Sequence, residues 1–334
     1  MKAAWYKEVG PAKTVLRLGE HPVPEVPSGG VLVKVCASGV NPSDVKRRAG
    51  WLNGLMEYPE IIPHSDGAGV IMAVGDKVSK KRVGERVWVY NGQWKRPMGT
   101  AAEYIVLPSD HAVHLHDNVG FIEGACLGVP ACTAYHCVAS GGDLRGQQVL
   151  VQGGAGAVGG YAIQIAVLSG AQVIATCSTK EKADLALAMG ATVTINYKSQ
   201  NVVEAVMTET HGKGVQHIVE VDFGQNAEID AAVIKSRGSI ASYSSTLKPR
   251  VEYDYYGFGY KGASIEFVQV YLLSTNERLA AVTHLNQWMA EGALTHCIGH
   301  VSSLEDIAQA HETQESGQVI GNIVLDLEKE SVSV

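Results

Sequence analysis

Four glycines, Gly153, Gly154, Gly156 and Gly159, fall just after the apolar β-branched run Val149, Leu150 and Val151 and just before an apolar helical pattern. They satisfy both GxxGxxG and GxGxxG. An apolar run of this kind suits a strand buried on both faces of a parallel sheet. Glycine after it permits positive φ and lets backbone amides approach a phosphate with no intervening Cβ. The helical pattern from Val158 to Ser169, closed by Gly170, would aim its N-terminal N–H groups at the same anion. Residues 153–159, including Ala155, Ala157 and Val158, are therefore expected to cradle a dinucleotide pyrophosphate.

The choice between nucleotides is written at the end of the following strand, Gln172 to Cys177. A carboxylate there accepts from a free ribose 2′-hydroxyl and repels a 2′-phosphate. The chain instead continues Ser178, Thr179, Lys180, Glu181, Lys182, with no acid at the strand tip and lysines within reach, which favours NADPH. Ser178 and Glu181 also fit a helix capping box, and the two readings are compatible because a cap leaves Lys182 free to reach a phosphate. A second cluster, His111, His114 and His116, has metal-ligand residue types. On a strand only His114 and His116 would share a face, so ordinary structure is the expected reading and no metal is assigned.

These residues need a scaffold, and 334 residues are more than one core comfortably fills, so two domains are expected. With 46% hydrophobic and 18% charged residues the chain is globular. A net charge of −7 and no basic run beyond three residues argue against a nucleic-acid partner. No apolar stretch approaches the roughly 20 residues of a membrane span, and the N-terminus shows no signal-peptide pattern, so a cytoplasmic protein is expected. The six cysteines form no CxxC pair and read as reduced core residues. Residues 1 to about 120 carry short strands (2–6, 30–38, 67–74, 86–91, 101–107) broken by Gly and Pro, as in a compact β barrel-like domain. From about 125 to 260 strands and helices alternate, implying a doubly wound parallel sheet: strands at 172–177, 192–196, 216–221 and 239–242, helices at 181–189, 202–210 and 226–234. Helices at 276–291 and 303–311 and strands near 298 and over 321–327 look like a return to the first domain.

The ordered motifs NPSDVKRRAG (41–50), HSDGAGVIMAVGDKV (64–78), VGERV (83–87), GTAAEYIVL (99–107), GVPACTAYHCV (128–138), the glycine loop, STKEKADLALAMGATVTINY (178–197) and SGQVIGNIVL (316–325) resemble the zeta-crystallin-like, zinc-free quinone oxidoreductase branch of the medium-chain dehydrogenase/reductase superfamily. The resemblance implies an α/β chain: a GroES-like, β-rich catalytic domain over 1–124 and 266–334, an inserted Rossmann domain over 125–265, a cleft between them, NADPH and a homodimer. Zinc relatives carry thiolate, imidazole and carboxylate ligands at positions that here read Asn41, the run His64, Ser65, Asp66, and Val129, so the resemblance is to the metal-free group.

Hydride transfer to a quinone or enone needs positioning and a donor for the distant oxygen. By resemblance Asn41 is the active-site amide, contacting substrate or the nicotinamide ribose; an Asn-Pro turn former is the alternative. Lys46 stands where many relatives have Tyr, and either donates to the nascent hydroquinone oxygen or points to solvent. Thr133 and Tyr135 resemble the helix under the nicotinamide, Tyr197 the residue covering the 2′-phosphate, and Asn322 a tail contact to the cofactor. Ser242, at a strand tip, joins that set. Trp51, Tyr58, Trp94 and Tyr256, the last within the aromatic stretch 253–260, are expected at the substrate pocket rim, the stretch serving as a lid or equally as a dimer surface. The function so implied is an NADPH-dependent quinone oxidoreductase, with an alkene (enone, enoyl or haloacrylate-type) reductase and a non-catalytic NADPH-binding protein as alternatives.

Overall fold

A computed structural model describes residues 1–51 and 53–329. The chain divides into two compact units, Met1–Pro130 together with the chain from Val282 on, and Ala131–Ala281.

The first unit begins with the antiparallel pair β1 (Lys2–Trp5) and β2 (Arg17–Glu20). Its main sheet is built on β3 (Gly30–Val40), β4 (Asp66–Val74), β5 (Arg86–Val89), β6 (Tyr104–Pro108) and β7 (Ala112–His114). The eleven-residue β3 is the spine, pairing antiparallel with β4 and with β6. Its inward positions Val31, Val33 and Val35 pack with Ile71, Val87, Val89, Ile105 and Leu107 in one buried cluster, the alternation a half-buried strand requires. The helix Pro42–Arg48 follows β3 directly, with Pro at its start and Asn41 as N-cap.

The second unit holds a six-stranded parallel sheet made of β8 (Gln148–Val151), β9 (Gln172–Cys177), β10 (Val193–Asn196), β11 (Val215–Glu220), β12 (Ile234–Ser242) and β13 (Ser264–Phe267). Their spatial order is β10-β9-β8-β11-β12-β13. Numbered within the sheet this is 3-2-1-4-5-6, the dinucleotide-binding order, whose direction reverses between β8 and β11. Val149, Leu150 and Val151 are fully buried at that point. The tail strands β14 (Ile298–Ser303) and β15 (Asn322–Asp326) return to the first unit, where β15 pairs with β3.

Several expectations shift. The helix read as 181–189 is Lys180–Ala188, and its N-cap is Thr179, whose hydroxyl accepts from the Lys182 amide at 3.3 Å. Ser178 is therefore not the cap, because the chain stays extended one residue longer at φ −142° for Thr179. The strand expected at 101–107 starts only at Tyr104, since Ala101 and Ala102 are diverted to bond Pro63 and bridge Ala3. The helix read at 303–311 is Ile307–Glu315, because β14 runs on to Ser303 and a 3₁₀ turn intervenes. β13 had no sequence expectation: it is short, and three of its four residues are exposed.

Candidate active site

The glycine loop leaves the tip of β8 at the reversal point. Gly153 has φ +70°, a left-handed conformation that glycine adopts without strain. A Cβ on Gly159 would collide with the Gly153 carbonyl oxygen, and one on Gly154 would lie 2.8 Å from the Ala175 Cβ, so close helix–strand packing demands both glycines. Gly156, the exposed N-cap, has no side chain to close the helix Ala157–Leu168. The first amide to bond back is that of Gly160, to the Gly156 carbonyl at 2.9 Å. The preceding N–H groups of Ala157, Val158 and Gly159 have no intrahelical partner and point at whatever anion sits over the loop. Of these glycines only Gly156 would have room for a Cβ without a contact under 3.4 Å.

The loop is anchored from below. The Gly153 amide donates to Thr176 Oγ1 at 3.0 Å, the Gly154 amide to the Thr176 carbonyl at 2.9 Å, and the Thr176 hydroxyl donates to Gln152 Oε1 at 2.9 Å. Residue types alone give no sign of Thr176 or Gln152, because their partners come from a neighbouring strand.

Ser178 follows β9, Lys182 lies in the first turn of the helix after it, and Tyr197 follows β10. Tyr197 donates its amide to the Cys177 carbonyl at 3.1 Å and keeps a 51% exposed ring. Lys180 is tied to Asp184 at 2.5 Å, whereas Lys182 is half-buried beside Cys177. Ser242 ends β12 opposite Glu220, buried, with its hydroxyl on the Ser244 carbonyl at 3.3 Å. Thr133 is buried in the first turn of the helix Cys132–Ala139. Tyr256 lies in the helix Tyr255–Gly259, 64% exposed, stacked on Tyr260 with ring centroids 5.4 Å apart.

In the first unit Asn41 is buried, and its amide donates to Asp66 Oδ2 at 2.9 Å. The same carboxylate oxygen accepts the Val129 amide at 2.9 Å. Asp66, missed as a site residue, therefore holds the Asn41 side chain in place. The Asn41 N–H is in turn accepted by Asp44 at 2.8 Å, and burial pushes the Asp44 carboxyl up to about 7 despite the bonds from Asn41 and Ser65 and the charge of Arg47. Lys46 sits with its Nζ 5.0 Å from the Trp51 ring centroid, and Arg47 packs at 5.5 Å on Trp94 while bonding Gln93. Both cations belong to the last turn of the helix that Asn41 caps. Tyr58 is placed differently: it packs against the buried cluster of Ala4, Tyr6 and Ile61. Asn322 spends its side-chain amide on the Cys297 carbonyl at 2.9 Å.

The positions where zinc relatives carry ligands do not fit a metal. The Asn41 amide faces Asp66; His64 has Nδ1 on Ser38 Oγ at 2.8 Å and Nε2 on His311 Nε2 at 2.9 Å; Val129 offers only a backbone N–H. Zinc requires free thiolate, imidazole or carboxylate lone pairs in a tetrahedral set. His64 is fully buried, and that burial pushes its imidazole down to about 3. His111, His114 and His116 also diverge, onto the Tyr90 ring, Glu85 and Asn118 respectively. Among the described residues no group of three or more His, Cys, Asp and Glu side chains could hold a metal ion.

Comparison with known proteins places this geometry. Residues 27–117 match the family model of the alcohol dehydrogenase GroES-like domain, and residues 157–287 that of the zinc-binding dehydrogenases. A quinone oxidoreductase of Lama guanicoe is 32% identical over 329 residues, 97% of either chain. A 2-methylene-furan-3-one reductase of Solanum lycopersicum is 27% identical, covering 97% of this chain and 79% of its own. A mycobacterial structure complexed with NADPH superposes with a TM-score of 0.86 at 26% identity, covering 97% of this chain and 99% of that one.

Proposed function

Because the chain belongs to the quinone oxidoreductase-like branch of the medium-chain dehydrogenase/reductase family, we propose that it is an NADPH-dependent reductase of quinones that works without a metal ion. The observation that carries the reading is the glycine loop at the sheet reversal, with Ser178, Lys182 and Tyr197 and no carboxylate directly after β9 and β10. The helix N-terminus over 157–159 binds the pyrophosphate, and Lys182 binds the 2′-phosphate, where a carboxylate would repel it.

NADPH bound there supplies a hydride. Residues of the chain supply the rest. Asn41, fixed by Asp66, presents the remaining capacity of its amide to the substrate or the nicotinamide ribose. Lys46 delivers a proton from Nζ to the reduced acceptor's oxygen, with Trp51 as an aromatic wall beside it. Trp51 and Trp94 offer planar apolar surface to a planar acceptor. The aromatic face of the second unit, with Tyr255, Tyr256 and Tyr260 exposed and Phe267 on the edge strand β13, supports a homodimer. Five buried free thiols support a reducing, cytosolic compartment.

A second reading, reduction of an activated alkene, is favoured by the likeness to the Solanum lycopersicum reductase. The test is NADPH oxidation with a small quinone and, in parallel, a small enone. Turnover of the quinone well above that of the enone is expected; the opposite ranking makes the protein an alkene reductase. Thermal stabilisation by NADPH without oxidation of it by any acceptor would make it a binding protein.

A further inference from the structure

Glu220 ends β11 and Asp230 lies in the helix Phe223–Val233, both side chains fully buried in the second unit. Glu220 Oε1 accepts from the Asp222 amide and from Asn226 Nδ2 at 2.9 Å. Asp230 Oδ1 accepts from Gln152 Nε2 at 3.3 Å. The remaining oxygens, Glu220 Oε2 and Asp230 Oδ2, are buried with no hydrogen-bond partner. Asn226, which bonds Glu220, lies one helical turn before Asp230, so the two carboxyl groups are neighbours and the Glu220 charge pushes the Asp230 carboxyl up. The ionisable groups facing the pair are Asp222 from the following turn and Tyr243 beyond β12, with Cys137 of the helix Cys132–Ala139 behind Tyr243; β8 and β9 contribute only Gln152 and Thr176. None is a cation. Two buried carboxylates without a counter-charge cannot both stay ionised, and one proton between Oε2 and Oδ2 satisfies both orphaned atoms at once.

The pair is wired to the loop. Asp230 holds Gln152, Gln152 accepts from Thr176, and Thr176 accepts the Gly153 amide. We infer that Glu220 and Asp230 are positioning residues that share a proton, fix the glycine loop through Gln152 and Thr176, and weaken NADPH binding when the pair becomes more negative. The inference rests on the nucleotide reading of that loop. Its electrostatic sense is fixed: deprotonation adds a negative charge beneath N–H groups that must attract a pyrophosphate. Burial and mutual repulsion both raise the pair's affinity for protons, so the loss comes on the alkaline side.

The test measures the NADPH dissociation constant of the full-length protein from about pH 6 to about pH 9.5 for wild type, Asp230→Asn, Glu220→Gln and Thr176→Val. Dividing the wild-type constant by that of a variant at each pH cancels the ligand's own ionisation. For Asp230→Asn and Glu220→Gln this ratio is expected to rise about tenfold across the range, a change worth about 1.4 kcal/mol. Thr176→Val should weaken binding by a factor that stays level with pH. Flat ratios for both carboxyl variants overturn the inference while leaving the nucleotide site standing. If one carboxyl variant fails to fold, the other decides. Failure of the wild type to bind NADPH at any pH refutes the nucleotide reading, and this inference with it.

Discussion

Lys182 and Asn41 illustrate how different two polar side chains of one site can be. Lys182 is half-buried in the first turn of the helix after β9, and the proposed reading makes it the charge that meets a 2′-phosphate. Lys182→Ala should raise the NADPH dissociation constant about tenfold, the order of one screened charge-assisted bond, and leave NADH within about twofold; equal loss for both nucleotides contradicts that role. Asn41 is buried and bonded, so its removal has a structural cost as well. Asn41→Ala leaves Asp66 Oδ2 with the Val129 amide alone among these two donors. A loss of about 1–3 kcal/mol is expected in denaturant unfolding, together with lost turnover; unchanged stability would show that Asp66 does not depend on Asn41. The glycine turn at the end of β8 and the absence of an acid at the end of β9 were legible from residue types. Asp66, Gln152 and the Glu220–Asp230 pair were not, because each is defined by a partner from a different strand or helix.

Elements were legible where pattern and cap agreed. Gln172–Cys177 is found as read, and the glycine-loop helix begins one residue earlier than expected. Boundaries failed where two adjacent residues offered the same cap, as with Ser178 and Thr179, and where tertiary bonds overrode local pattern, as at Ala101 and Ala102. The helix Pro42–Arg48 carries its own pH dependence through Asp44, its third residue. The folded carboxyl is raised to about 7 by burial, so the fold favours the protonated form. Its stabilising contribution is complete below the unfolded value near 4 and is lost as pH rises through about 7. Asp44→Asn keeps an acceptor for the Asn41 amide and cannot ionise. It should therefore melt near the wild type at about pH 5 and above it by a few degrees at about pH 8; a variant less stable than wild type at both pH values would mean that the ionised carboxylate is the form the fold prefers.

At the scale of the whole molecule two outcomes are expected. Light scattering should return twice the 35.5 kDa chain mass, with Phe267→Asp on the edge strand shifting the protein toward monomer; a wild-type monomer at micromolar concentration removes the dimer. Elemental analysis should find no stoichiometric zinc, and chelator treatment should leave NADPH oxidation unchanged, since the ligand positions are occupied by the Asn41–Asp66 and His64–His311 bonds. Zinc-dependent rescue of an inactive preparation would overturn this.

By itself the sequence determined the alternation of strand and helix, the phosphate-binding turn and the preference for a 2′-phosphate, because periodicity, glycine placement and the absence of a nearby acid are local properties. Only the tertiary structure decided that β8 lies between β9 and β11, that Lys46 rests on Trp51 while Tyr58 packs against the buried cluster of Ala4, Tyr6 and Ile61, and that two acids ten residues apart are buried as neighbours. Those facts depend on which distant segments pack together, and burial, which sets the proton affinity of each carboxyl and imidazole, exists only after they have done so.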